Sequence, residues 1–172
     1  MLPHHLELLS LDDIGCDEEI PETADTIEGN AILKANYVRD NYNLDCFADD
    51  TGLEVKSLNN EPGVYSARYA GEAHNAEANI QKLLKNLAGK EDRSARFKTA
   101  IALSMNHSKI MFLGICEGEI IKEPRGDSGF GYDPIFQPEG FNKTFAEMTL
   151  IQKSEIGHRG KAMRQLIDYL SK

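Results

Sequence analysis

Apolar and polar positions alternate in "HLELLSL" (residues 5 to 11), which predicts a strand, and an acidic loop, "DDIGCDEEIPETAD", follows it. In "TIEGNAILKANYVRDNYN" the apolar positions Ile27, Ala31, Leu33, Ala35, Val38 and Tyr42 recur at helical spacing, so this segment is expected to bury one face. Thr26 is its expected N-cap, and Gly29 weakens the first turn. "DCFAD" reads as a short strand, and "LEVKSLNNEPGVYS" alternates into an Asn-Asn-Glu-Pro-Gly turn. "NAEANIQKLLKNLAG" reads as a second helix, with Ala78, Leu83, Leu84 and Leu87 inward and Gly89 as the stop.

"ARFKTAIALSM" and "KIMFLGICEGEIIKE" flank "NHS" and predict a hairpin of two long strands. "PRGDSGFGYDPIFQPEGFN" is a glycine-rich loop around a short strand, and "HRGKAMRQLIDYLSK" closes the chain as a helix. Its apolar side is Ala162, Met163, Leu166, Ile167 and Leu170. No repeat, linker or low-complexity tract divides the chain. Intermixed helices and strands, with a hairpin among them, imply one α/β domain built on a mixed central sheet.

A chain of 172 residues can bury one core and is short for two domains. A net charge of -9 argues against broad binding to nucleic-acid backbones or anionic membranes, yet a small phosphate-bearing ligand needs only a few local cations and a metal. The three cysteines, Cys16, Cys46 and Cys116, lie far apart and form no zinc spacing, which fits a reduced compartment. No leader pattern opens the sequence and no apolar run is long enough to span a bilayer, so a cytoplasmic location is expected.

Four segments carry candidate chemistry. "ADDTG" places Asp49 and Asp50 side by side where an apolar run ends. Such a pair suits magnesium, which takes oxygen ligands and bridges to phosphate, or it is a solvated turn. "DSGFGYDPIF" offers glycines for close backbone approach, Phe130 and Tyr132 for a planar ring, and Asp133 as an acceptor; a turn with core aromatics is the competing reading. "KSEIGHRGK" concentrates Lys153, His158, Arg159 and Lys161 at a helix start, where cations oppose the dipole unless an anion is bound. "SARYAG" holds Arg68, which suits a phosphate or an ordinary ion pair. Together these segments supply acids for a metal, cations for phosphate and rings for a base, which is the equipment of nucleotide chemistry.

Five segments, "TIEGNAILKA", "FADDTGLEV", "PGVYSARYAG", "GDSGFGYDPIF" and "KSEIGHRGKAM", stand in the order and spacing of the nonstandard purine nucleoside triphosphate pyrophosphatases, which the chain resembles from about Leu6 onward. The resemblance implies an elongated α/β fold, a mixed sheet flooring a cleft between two lobes, and a homodimer. It implies hydrolysis of dITP, ITP and XTP to the monophosphate and pyrophosphate, with Mg2+ as cofactor. Position by position, Asp50 is then the general base and a magnesium ligand, and Glu22 of "IPETAD" is the other metal carboxylate. Thr51 touches substrate, Lys153 meets phosphate, and Phe130 stacks on the base. Gly131, Tyr132 and Asp133 line that pocket, and His158 and Arg159 read the purine edge.

The chain departs from the family pattern at Gly29 and Gly157, where many members carry glutamate and serine. Members also begin with an apolar strand and a Thr/Ser-x-Asn-x-x-Lys loop that grips the triphosphate, which this sequence does not contain, so a domain truncated at its N-terminus is expected. That departure keeps a second reading open, a weakly active or inactive nucleotide-binding remnant. A third, an aspartate phosphoryl acceptor, fits the Asp pair but lacks the D-x-D-G-T order and leaves the other four segments unexplained.

Overall fold

The computed structural model describes residues 6–71, 74–106 and 108–172. The first helix, α1 (Ile27–Tyr42), begins where expected, because the Thr26 side chain accepts a hydrogen bond from the Gly29 N–H at 3.0 Å. Asn43 ends it in the left-handed conformation. Its buried residues are Ile27, Asn30, Ala31, Ala35 and Val38, one face of a 3.6-residue helix. The second helix, α2 (Ala76–Asn86), is capped by Asn75 and buries Ile80 and Leu83, and Leu87 just beyond it is also fully buried. The closing helix, α4 (His158–Leu170), matches its predicted span.

The sheet contains β1 (Cys46–Val55), β2 (Glu61–Gly63), β3 (Ser94–Met105), β4 (Ser108–Ile120) and β5 (Phe136–Pro138), in the order β2-β1-β3-β4-β5. The predicted hairpin is β3 and β4, in register from Ser94 opposite Glu119 to Met105 opposite Ser108. The single α/β domain is as expected. All pairings among the described residues are antiparallel, so the parallel component of a mixed sheet is not among them.

Helices cover both faces of this sheet. Helix α1 packs on β1 and β3 through Ile27, Ala31, Ala35, Ala100 and Ala102. Helix α4 packs on the opposite face through Ala162, Leu166, Ile101, Leu103 and Phe112. A larger cluster joins α2 to the far ends of the strands around Phe97, Phe136 and Phe145. Each cluster follows from strand alternation, which sends successive side chains to opposite faces.

The structure departs from the sequence pattern at three places. Leu6–Ser10 forms no strand, and Leu8 and Leu9 are exposed and pair with no strand among the described residues (residue 5 lies outside them). The short strand "DCFAD" and the alternation after it are one ten-residue strand, because β1 pairs with β3 along its whole length and carries the chain straight through "DDTG". That tertiary pairing overrides the poor strand propensity of Asp and Gly. The stretch before His158, to which the sequence pattern assigns no element, forms a further helix, α3 (Leu150–Ile156), started by a capping box between Thr149 and Gln152. Among the described residues no helix is long and apolar enough to cross a membrane, and all three cysteines are free.

Candidate active site

Because β1 runs through "ADDTG", Asp49 and Asp50 point to opposite faces of the sheet. Asp50 faces α1. Its Oδ1 accepts from Lys34 Nζ at 3.0 Å and its Oδ2 from Asn30 Nδ2 at 3.4 Å. The same Lys34 ammonium donates to Glu22 Oε1 at 2.7 Å. The two carboxylates expected to hold a metal therefore converge on one cation. Burial pushes the Asp50 carboxyl above the usual range, and the Lys34 charge beside it only partly offsets this. Burial also opposes the charge on Lys34, but its hydrogen bond to Glu22 and the charges of Asp50 and Glu22 prevail and raise its pKa.

Lys34 was absent from the expected site residues. The signal was present in "GNAILK", where Asn30 and Lys34 stand four residues apart and so share a helix face. One alternate step along the same face, buried Lys98 bridges Glu54 at 3.0 Å and Glu28 at 3.1 Å. Polar side chains thus line this side of β1 beyond the alanine-rich contact with α1.

Asp49 faces the α4 side, where its Oδ2 accepts from Arg159 Nη2 at 2.9 Å. Thr51 shares that face, its hydroxyl 2.7 Å from the hydroxyl of Thr99. The glycine-rich loop lies towards the same end of α4. Gly131, at φ 59°, reverses the chain between Phe130, which is 68% exposed, and Tyr132, which is 4% exposed. Lys153 on α3 reaches back to this loop, forming an ion pair with buried Asp133 while its ammonium sits 4.7 Å from the Phe130 ring centroid. The Asp133 carboxylate also accepts the Phe130 N–H at 2.8 Å, which fixes the loop below the exposed ring.

Two side chains expected in the base pocket are placed deeper. The Tyr132 ring belongs to the core, and its hydroxyl donates to the Ser66 carbonyl at 2.8 Å. His158, 6% exposed, stacks on Phe97 with ring centroids 4.7 Å apart and planes at 16°. Burial, assisted by the charges of Lys153, Arg159 and Lys161, pushes its pKa down to about 3, so it is neutral at physiological pH. Its Nδ1 is buried with no hydrogen-bond partner among the described residues. The cations of "KSEIGHRGK" that oppose the helix dipole are themselves engaged, Lys153 by Asp133, Arg159 by Asp49, and Lys161 by the Ile115 carbonyl at 2.8 Å.

Strand β2 pairs only with Leu53–Val55 of β1, so the stretch from Cys46 to Gly52 is bonded to β3 on one side and to no strand among the described residues on the other. Among the described residues no group of three or more His, Cys, Asp or Glu side chains gathers in metal-binding geometry. The residues that could hold a cation are the Glu22–Asp50 pair, both bonded to Lys34. That suits magnesium, which commonly takes one or two carboxylates and completes its shell with water and phosphate.

The Ham1 family model matches residues 1–169. The dITP/XTP pyrophosphatase of Christiangramia forsetii is 62% identical over 172 residues, covering all of this chain and 90% of that protein. That of Flavobacterium johnsoniae is 62% identical over 171 residues, covering 99% of this chain and 89% of that protein. Among solved structures, the Ham1 protein of Staphylococcus aureus superposes with a TM-score of 0.93 at 42% identity, over 96% of this chain and 86% of that one.

Proposed function

Because the chain belongs to the Ham1 family, we propose that it hydrolyses noncanonical purine nucleoside triphosphates, dITP, XTP and ITP, to the monophosphate and pyrophosphate. Relatives that are 62% identical over nearly the whole chain carry the name dITP/XTP pyrophosphatase. The observation that carries the reading is the buried cluster in which the Lys34 ammonium joins Glu22 at 2.7 Å and Asp50 at 3.0 Å, two carboxylates gathered at one point on the α1 face of β1.

In this reading the base stacks on Phe130, which already lies free of the core. Asp133 and the backbone around Gly131 line that pocket, and Tyr132 holds the loop from behind. Arg159, reached from the Asp49 side, donates to the 6-oxo group of the purine, and neutral His158 presents a ring nitrogen. Lys153 faces the phosphates and Thr51 lies against the substrate along the strand. Glu22 and Asp50 hold magnesium, which when bound supplies charge neutralisation at the triphosphate. Asp50, whose burial raises its basicity, orients the attacking water and takes its proton as the water oxygen bonds the α-phosphorus and pyrophosphate leaves. Lys34 holds the two carboxylates together and offers its ammonium to the phosphate oxygens. The chain acts as a homodimer in the cytoplasm, a reading supported by the family resemblance and the free cysteines.

The test is turnover of dITP, XTP and dATP with pyrophosphate release, before and after chelation with EDTA. Rapid release from dITP and XTP, slow release from dATP, and loss on chelation that added magnesium restores are expected. Equal rates on dITP and dATP contradict the base assignment, and full activity in EDTA contradicts the metal.

A further inference from the structure

Asn30 is fully buried, at 0% exposure, yet its side chain is not needed to build its helix, because Thr26 already caps α1. Both ends of its amide are used elsewhere. Oδ1 accepts the Ala24 N–H at 2.9 Å, and Nδ2 donates to Asp50 Oδ2 at 3.4 Å. One helical turn later Lys34 repeats the pattern, joining Glu22 to the other oxygen of Asp50. Two residues at i and i+4 on α1 therefore each tie the acidic loop to β1.

Gly29 makes this closure possible. A Cβ there would lie 2.7 Å from the Ala24 Cβ and 2.9 Å from Thr26 Oγ1, closer than such atoms pack. Without it, the loop settles on the first turn of α1 and presents the Ala24 N–H to Asn30. This gives a physical place to the glycine that marks one of the chain's departures from the family pattern.

We infer that Asn30 is a positioning residue for hydrolysis. Its amide donor fixes the orientation of the Asp50 carboxylate, and its acceptor fixes the backbone two residues beyond Glu22. The inference rests on the proposed role of Asp50. A carboxylate held at one oxygen by Lys34 alone can turn about its bond, whereas a second donor on the other oxygen leaves one orientation, and attack on phosphorus depends on such alignment.

The test is Asn30→Ala, assayed well below its melting temperature with dITP. The expected result is a fall in kcat of about 10- to 100-fold with KM changed less than about threefold, the size seen when a partner of a reacting group is removed. A purely structural amide would lower the melting temperature and leave kcat of the folded protein unchanged, and that outcome overturns the inference. If Asn30→Ala does not fold, Asn30→Asp keeps the shape and the acceptor for Ala24 but removes the donor, and wild-type kcat in it overturns the inference equally. A second readout needs no turnover. In metal-free and nucleotide-free protein, the melting loss from Asn30→Ala should be smaller when Asp50 is already Asn, and equal losses in both backgrounds contradict a link to the carboxylate. Full activity in Asp50→Asn alone would remove the underlying reading, whereas an inactive Asp50→Asn with wild-type kcat in the Asn30 variants removes only this one.

Discussion

Asp49 and Asp50 are neighbours in sequence but face opposite sides of the sheet, and each meets its own cation, Arg159 at 2.9 Å and Lys34 at 3.0 Å. Strand alternation separates the two like charges, so their adjacency is tolerable even before any ligand arrives. It also divides the labour, with Asp50 on the acid side of the site and Asp49 on the side that carries Arg159.

Arg159 is expected to govern the choice of base. Its donors match a 6-oxo acceptor and meet a 6-amino donor unfavourably, and mismatched buried polar groups discriminate by up to about 10⁴. Arg159→Ala should therefore reduce kcat/KM for dITP far more than for dATP. Equal losses on both would make Arg159 a phosphate ligand or a structural partner of Asp49.

Phe130 and Phe145 should respond in opposite ways. Phe130 is 68% exposed, so Phe130→Ala should change stability by no more than about 0.5 kcal/mol. Losing a stacking partner should cost about 1–3 kcal/mol of base binding, read as a rise in KM for dITP. Phe145, 1% exposed, lies in the aromatic cluster, and Phe145→Ala should cost about 3–5 kcal/mol in a denaturant melt. A large stability loss in Phe130→Ala with unchanged KM would contradict the stacking role.

Tyr132→Phe removes one buried hydrogen bond to the Ser66 carbonyl and leaves the ring in place. A stability loss of about 0.5–1.5 kcal/mol is expected, with KM for dITP changed less than threefold. A tenfold rise in KM with unchanged stability would show that the hydroxyl touches the substrate instead.

His158 makes stability depend on pH. The unfolded chain protonates it near its ordinary value of 6.5, while the folded chain holds it neutral down to about 3. Below pH 6.5 the unfolded state therefore binds more protons, and stability falls with decreasing pH across that window by up to about 1.4 kcal/mol per unit. Denaturant melts at pH 7.5 and 5.5 should show a smaller difference in His158→Phe, which keeps the stack on Phe97. The same difference in both proteins would show that another group carries the effect.

Much of the fold was legible where local signals and tertiary packing agree. The Thr26 cap, the buried Ile27, Ala31, Ala35 and Val38 of α1 and the hairpin around Asn106 follow from side-chain spacing, whereas Leu33, expected on the same face, is exposed. Strand β1 was cut short because Asp and Gly are poor strand formers, and its continuity comes from pairing with β3. Once that cut was made, the alternation that parts Asp49 from Asp50 was hidden. Helix α3 was missed because Leu150 and Ile151 are exposed and trace no apolar face, although its capping box was readable. Lys34 escaped because a lysine on a helix is usually solvated, and only the fold shows two carboxylates waiting for it. His158 looked like a surface recognition residue because Phe97, the ring that buries it, is 61 residues away in sequence.

The most direct test of the proposed reaction is hydrolysis of dITP in ¹⁸O-labelled water, comparing the chain with Asp50→Asn. The expected products are dIMP carrying the label and unlabelled pyrophosphate, with the rate in Asp50→Asn lower by about a hundredfold or more because the amide can neither take the proton nor bind the metal as the carboxylate does. Release of dIDP and phosphate, or an Asp50→Asn rate close to that of the unaltered chain, would contradict water attack at the α-phosphorus directed by Asp50.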